Sequence, residues 1–372
     1  LALLPCISTA ALILSRDALP NRLLSARPAA RIGDMSYSLY LWHWPILVFA
    51  RFLFPSSIAA TVIAILLSFA AAAATWTSVE RPFLEGRVRR VFPLAATATV
   101  LSLALCASIY FSAGAPQRFP REAQAFLQGS DDFNKDRYKC HMRSDRPVDY
   151  ENACIYGATS VAPTFAVWGD SHGAELAKVL GEKLAPRGAA LRSLTMSGCP
   201  ATLSRGPVCR NHNIAMLAAI KNDKAMRVVI LTSNLHGTDR FARESVEGVK
   251  ATALELLKAG KQVVLVYPIP THDFDPPSML AIAARRGDDV DKVGMARARY
   301  EEKSGWIVAD FVRFTKANGV LGVDPADTLC DATACRVFRA NIGVLYYNQG
   351  HLSLTGAGLI ADRILAALHR GL

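Results

Sequence analysis

Two stretches without a single charged residue, 52–79 and 91–117, constrain this chain more than any other feature. Each exceeds the roughly 20 residues that a helix needs to cross a bilayer. Hydrocarbon offers no water to a backbone, so such stretches are helical. The N-terminal third is therefore expected in the membrane, with spans at about 1–14, 35–54, 58–76 and 91–113. Arg16, Arg22, Arg27 and Arg31 form one basic connection, and Arg81, Arg87, Arg89 and Arg90 another. The positive-inside rule puts both in the cytoplasm and Pro55-Ser56-Ser57 on the other side. The fourth span then leaves the cytoplasm, and everything after Pro116 is expected outside it. Residues 1–14 are already apolar with no basic region ahead of them, unlike a signal peptide; the expectation is a chain that begins partway through a membrane helix.

The net charge of +11 raises nucleic acid as a partner. Up to Pro120, however, ten arginines stand against four acids, and they sit in the short connections where they orient spans. No basic patch interleaved with aromatics remains, so nucleic-acid binding is not expected. Of eight cysteines, Cys6 and Cys106 lie in apolar spans. The others fall as near neighbours: Cys140 with Cys154, Cys199 with Cys209, Cys330 with Cys335. Three such pairs point to disulfides in an oxidising compartment, which agrees with the topology. No Cys-x-x-Cys or His-x-x-x-His spacing supports a zinc site, and no metal is assigned.

Between 117 and 161 the composition turns polar and reads as a linker. Beyond it, apolar runs at 164–168, 189–195, 227–233 and 261–269 alternate with helical patterns at 174–184, 208–221, 243–258 and 295–317. That alternation predicts a parallel sheet covered by helices on both faces. Ligands of such sheets bind beyond the C-terminal ends of the strands. The first run ends in Gly169-Asp170-Ser171-His172, which places Ser171 on a strand-to-helix turn with N–H groups directed at its hydroxyl. Near the other end stands Tyr347-Asn348-Gln349-Gly350-His351-Leu352-Ser353. A serine early and a histidine late suggest nucleophile and base. Gly198 and Asn234 follow two further strand ends and offer donors for an oxyanion, although an asparagine such as Asn234 also caps turns.

Gly-Asp-Ser-His after a strand, with His-Leu-Ser-x-x-Gly-Ala later, resembles the SGNH hydrolase-like superfamily. A second resemblance lies in the membrane part. Ser36-Tyr37-Ser38-Leu39-Tyr40-Leu41-Trp42-His43-Trp44-Pro45, followed by Val79-Glu80-Arg81-Pro82-Phe83, looks like the closing part of the membrane acyltransferase 3 family. Some members of that family carry an extracytoplasmic SGNH domain behind one extra helix, and the order of motifs here is the same. His43, an ionisable residue within a span, marks either a functional site or a polar contact inside the bundle. The implied organisation is 1–115 as the final helices of an acyltransferase 3 domain, 116–160 as a linker tied down by a disulfide, and 161–372 as an α/β/α SGNH-like domain.

The resemblance implies a multi-pass protein of the bacterial inner membrane that takes an acyl group, most often acetyl, from cytoplasmic acyl-CoA. It would hand the group to Ser171 and then to a hydroxyl of a cell-envelope glycan such as lipopolysaccharide. No bound cofactor is implied. Ser171 would be acylated with His351 as base, and Gly198 and Asn234 would complete the oxyanion hole. Asp170 and His172 belong to the turn motif; His172 either touches substrate or packs. One position departs from the family. Aspartate is usual three residues before the histidine, and Asn348 stands there. In a serine-protease triad that change costs about 10⁴ in turnover through the wrong tautomer. A dyad supported by another group, a slow enzyme and an inactive domain all remain open, with Asp324, Asp327 and Asp331 as alternative acids by sequence proximity. An esterase using water as acceptor and a glycan-binding module without activity are the rival functions.

Overall fold

The computed structural model describes residues 3–15, 18–54, 57–87, 91–143 and 148–370. Arg16, Pro55, Ser56, Arg89 and Arg90, which the expected topology uses, lie outside them. Contacts divide the chain into two compact units, Leu1–Ala115 and Pro116–Leu372.

The first unit is helical. Helices Ser36–Leu53 and Ile58–Thr75 pack on one another. Ala64, Ser68 and Ala72 recur every fourth residue and are the buried positions of the second helix, because small side chains let two backbones approach. Polar groups then fasten the pair. Trp42 Nε1 donates to Thr75 Oγ1 at 2.8 Å, and Ser38 Oγ donates to Glu80 Oε2 at 2.6 Å. Glu80 closes a single π-helical turn, Trp76–Glu80. His43 sets Nδ1 3.0 Å from the Leu39 carbonyl one turn back. Of the four expected spans, two among the described residues are long and apolar enough to cross a membrane, Ile58–Leu84 and Phe92–Phe111. Leu3–Leu14 is apolar but has 12 residues, and Ser36–Leu53 is interrupted by His43 and Arg51.

The second unit is built on a six-stranded sheet. Its strands are β1 (Ile155–Gly157), β2 (Phe165–Gly169), β3 (Ala190–Thr195), β4 (Val228–Thr232), β5 (Gln262–Val266) and, after a short β6 (Gly294–Ala296) outside it, β7 (Leu321–Val323). The order is β1-β3-β2-β4-β5-β7. Strands β2 to β5 and β7 run parallel, as expected. β1 pairs antiparallel with β3, so the sheet is mixed rather than purely parallel. Three residues directly after Cys154 leave too short an apolar run to announce a strand. Met295, expected at the start of a helix, belongs to β6, which pairs with β8 (Ala334–Arg336), and the helix begins at Arg297.

Side chains of the central strands alternate between two cores. Val167, Leu191, Ile230 and Val264 face one, against helices Gly173–Leu184, Pro276–Arg286 and Leu354–Arg370. Ala166, Trp168, Leu194, Val229 and Leu265 face the other, against Pro207–Asn222, Arg240–Lys258 and Arg297–Asn318. Both faces are covered, which explains why the strands read as unbroken apolar runs. The polar segment ahead of β1 also packs into this unit: Ala123 and Phe126 of helix Arg121–Gln128 are buried in the first core. All three cysteine pairs are disulfides, Cys140–Cys154, Cys199–Cys209 and Cys330–Cys335.

Candidate active site

The site lies where three neighbouring strands stop together. Gly169 ends β2 opposite Thr195 of β3 and Thr232 of β4, so the loops carrying Ser171, Gly198 and Asn234 emerge side by side. Gly169 is dictated by that crowding. A Cβ there would stand 1.7 Å from the Thr232 carbonyl oxygen, which no adjustment of a side chain relieves. Asp170 then turns inward, only 3% exposed, and joins two loops. Its Oδ1 accepts the His172 N–H at 3.0 Å, and its Oδ2 accepts the Asn234 N–H at 2.7 Å. Burial raises its carboxyl to about 6. Asp170 thus fixes the Ser171 turn to the Asn234 loop from a buried position.

Ser171 Oγ lies 2.8 Å from His351 Nε2, across 180 residues of sequence. His351 Nδ1 in turn lies 3.0 Å from Asn348 Oδ1. That same oxygen accepts the backbone N–H groups of Gly350 and His351, at 3.0 and 2.9 Å. Two donors aimed at one atom decide which way the amide faces, because a turned amide would set NH₂ against N–H. Oδ1 therefore faces the imidazole and accepts from Nδ1–H. Nε2 is left unprotonated and accepts the serine hydroxyl. The tautomer lost when an amide replaces a triad carboxylate is here held in place by the loop. What the amide does not supply is charge. Burial, with His172 and Arg137 nearby, pushes His351 down to about 3.

None of the three aspartates considered from sequence reaches His351. Asp324 accepts the Ala326 N–H, Asp327 pairs with Arg363, and Asp331 holds Thr333, Ala334 and Arg336 in a turn. His172 is 5% exposed and packs edge-on against His351, ring centroids 5.2 Å apart. Both of its nitrogens lack a partner, and burial lowers it to about 3. It is a neutral support for the histidine ring, not a surface group.

Three donors on the loops at these strand ends have no partner among the described residues. Met196 to Cys199 form a tight turn closed by the Cys199 N–H on the Met196 carbonyl, with Gly198 at φ +61° where the turn needs a left-handed residue. The Cys199–Cys209 disulfide fastens that turn to the helix behind it. Neither the Ser171 N–H nor the Gly198 N–H has a hydrogen-bond partner among the described residues. Asn234 sets Oδ1 3.1 Å from His236 Nδ1, which leaves its NH₂ as donor. A hydroxyl beside an unprotonated imidazole, with unpaired donors on the neighbouring loops, is an arrangement that can attack a carbonyl.

Sequence reasoning missed what the polar segment contributes. Arg137 Nη1 donates to both oxygens of Glu175 at 2.7 Å and to the Ser171 carbonyl at 3.3 Å. Glu175 is 2% exposed, and its burial raises its carboxyl although Arg137 opposes the rise. His141, buried and lowered to about 4 by desolvation, bridges Thr195 Oγ1 and Ser197 Oγ at 3.0 Å each. These contacts join residues 34 to 56 apart in sequence. Nothing in the local pattern marks them, apart from the disulfide at Cys140 that ties the segment down. Among the described residues, no group of three His, Cys, Asp or Glu is placed to hold a metal.

No curated protein matches the chain significantly. Among solved structures, the periplasmic domain of a lipopolysaccharide acetyltransferase from Salmonella ser. Paratyphi A superposes with a TM-score of 0.50 at 16% identity, covering 66% of this chain and 99% of that one. The carbohydrate acetylesterase Est24 from Sinorhizobium meliloti gives a TM-score of 0.36 at 13% identity, covering 55% and 99%. The esterase EstA from Pseudoalteromonas sp. gives 0.33 at 14%, covering 56% and 98%. At such identities the first likeness speaks for the fold alone. Residues 139–366 match the family described as "SGNH domain (fused to AT3 domains)". That match spans more than half of the sequence, from ahead of β1 into the last helix, and the chain belongs to this family of SGNH domains.

Proposed function

We propose that the chain is part of a membrane-bound O-acyltransferase, with acetyl as the expected group and a hydroxyl of a cell-envelope polysaccharide as acceptor. The observation that carries this reading is the line Ser171–His351–Asn348, with unpaired donors beside it. Ser171 Oγ attacks the acyl carbonyl and its proton passes to His351 Nε2. The oxyanion is stabilised by the Ser171 and Gly198 N–H groups and the Asn234 amide. The donor's leaving group takes the proton from the imidazolium, and an acyl-serine remains. A sugar hydroxyl then gives its proton to His351 and attacks that ester, which frees Ser171.

The membrane side of the proposal rests on the first unit. Helix Val91–Phe111 is apolar all round, and Phe92, Leu101 and Leu103 are 88%, 65% and 64% exposed, as a span facing lipid requires. The family description ties SGNH domains of this kind to AT3 domains, and the Trp-His-Trp-Pro and Glu-Arg-Pro-Phe motifs lie in that unit. We infer that it belongs to the domain that brings the acyl group from a cytoplasmic acyl-CoA. The three disulfides favour a periplasmic second unit. The resemblance to a lipopolysaccharide acetyltransferase domain motivates the choice of acceptor.

The test is envelope-glycan O-acylation in cells carrying the wild type or Ser171→Ala at equal protein level. Loss of the ester in the variant is the expected result, and its retention would overturn the covalent route. An esterase uses the same residues with water as acceptor. Incubating purified protein with an acetyl ester and an oligosaccharide separates the two, since the transferase acetylates the sugar and the esterase releases acetate only.

A further inference from the structure

A line of rings runs outward from the reacting pair. Tyr347 stacks on His351 with centroids 5.6 Å apart and planes 21° apart. Phe133 lies 5.4 Å from Tyr347, and Tyr138 meets Phe133 edge-on at 6.3 Å. Burial falls along that line. Tyr347 and Phe133 are half-buried, and Tyr138 is 85% exposed.

The segment that carries Phe133 and Tyr138 is held to both halves of the site. The Leu354 N–H donates to the Asp132 carbonyl and the Thr355 N–H to Asp132 Oδ2, at the start of the helix behind His351. Asn134 Nδ2 donates to the Ala174 carbonyl on the nucleophile helix, and Arg137 holds Glu175 and the Ser171 carbonyl. Lys135 Nζ caps Phe133 at 3.9 Å from its centroid. Tyr138, 85% exposed on a segment braced against Ser171 and the helix behind His351, leaves an aromatic face free to take a ligand.

We propose that Tyr138, with Phe133 and Tyr347 behind it, is the landing platform for a pyranose ring of the acceptor. This rests on the acyltransferase reading and specifies its acceptor site. One face of a pyranose presents aligned C–H bonds, and an aromatic face with its negative quadrupole attracts them. The hydroxyls around the sugar rim then meet Lys135, Asp136 and Arg137. The ring centroids step inward by 6.3 Å from Tyr138 to Phe133 and by 5.4 Å from Phe133 to Tyr347, the ring stacked on His351, so a sugar seated on Tyr138 lies at the outer end of that line. A ring platform favours polysaccharide over water as acceptor by holding a hydroxyl at the acyl-serine, the positional advantage that transfer needs.

The test uses the whole chain in detergent micelles with Ser171→Ala, so that bound sugar is not consumed. Methyl glucoside, galactoside and rhamnoside are titrated and followed by saturation transfer from the aromatic protons. At least one is expected to bind, with saturation concentrated on one C–H face. Tyr138→Ala is expected to weaken it roughly 3- to 10-fold, and Tyr138→Trp to keep it within about twofold. No binding by any of the three, or the same affinity in Tyr138→Ala, overturns the platform. So does a Tyr138→Ala effect confined to binding of lipid vesicles, which would make the ring a bilayer contact. The two proposals fail separately. Pyranoside binding that depends on Tyr138, in a protein whose Ser171→Ala variant still acylates the envelope, removes the catalytic reading and keeps the platform.

Discussion

Asn348→Asp is the substitution through which the account of this site is most exposed. Asn348 Oδ1 already accepts three N–H groups, and a carboxylate of the same shape accepts the same three. The change therefore adds charge and little else. With charge centres about 4 Å apart and an effective dielectric constant of about 20, the attraction on an imidazolium is about 4 kcal/mol. At 1.36 kcal/mol per unit, that lifts His351 by about three units. His351 starts at about 3, so the variant histidine titrates near 6. Two consequences are measurable in hydrolysis of p-nitrophenyl acetate by the purified chain. The acid limb of kcat/KM moves from about pH 3 to about pH 6. Above pH 7 the variant runs about ten- to a thousand-fold faster, less than the 10⁴ lost in a protease triad, because the correct tautomer is already in place here. An acid limb that stays near pH 3 would refute the reasoning, since Asn348 could then not be the group facing Nδ1.

Other outcomes follow from buried charge. His141, His172, His212, His272 and His351 are all lowered from 6.5 by desolvation, so the unfolded chain takes up their protons first as pH falls. Stability is present above about 6.5 and lost as pH falls towards the folded values, about 4 for His141 and about 3 for His172, His272 and His351, at up to about 1.4 kcal/mol per pH unit for each histidine. Asp170, raised to about 6, and Glu175 oppose this, because their protonated forms are favoured by folding. Urea titrations at pH 7.5, 6 and 5 should show the net loss, and equal midpoints would contradict it. Arg137→Gln leaves Glu175 buried without its cation and is expected to cost about 3–5 kcal/mol in the same titration, whereas Arg137→Met with Glu175→Leu recovers most of that.

Much of the second unit was legible before any coordinates. β2 to β5 are apolar runs buried on both faces, so their composition alone separates them from the helices between them. The Ser171 turn is legible because Gly169, Asp170, Ser171 and His172 stand together after an apolar run, although only the Asp170 cap is local and the reasons for Gly169 and His172, the Thr232 carbonyl and the His351 ring, are distant in sequence. β1 and β7 are three residues each, too short for any periodicity to show. Asn348 is legible as the residue standing where the resemblance expects an aspartate, and Asp324, Asp327 and Asp331 are the alternative acids that nearness in sequence offers. The group in place is an amide whose orientation is set by two backbone N–H donors, which composition does not encode. Arg137, Tyr138 and Phe133 were hidden for a different reason. A polar stretch reads as a linker until the sheet shows which strand ends it crosses, and only then does its disulfide explain itself.

The most direct measurement of the central claim is the mass of the intact protein after rapid acid quenching with p-nitrophenyl acetate. The account predicts one added acetyl group, located on the peptide containing Ser171, which forms in the wild type and disappears when an acceptor glycan is supplied before the quench. An unmodified wild-type protein that nonetheless releases acetate, or a label on another residue, would contradict it.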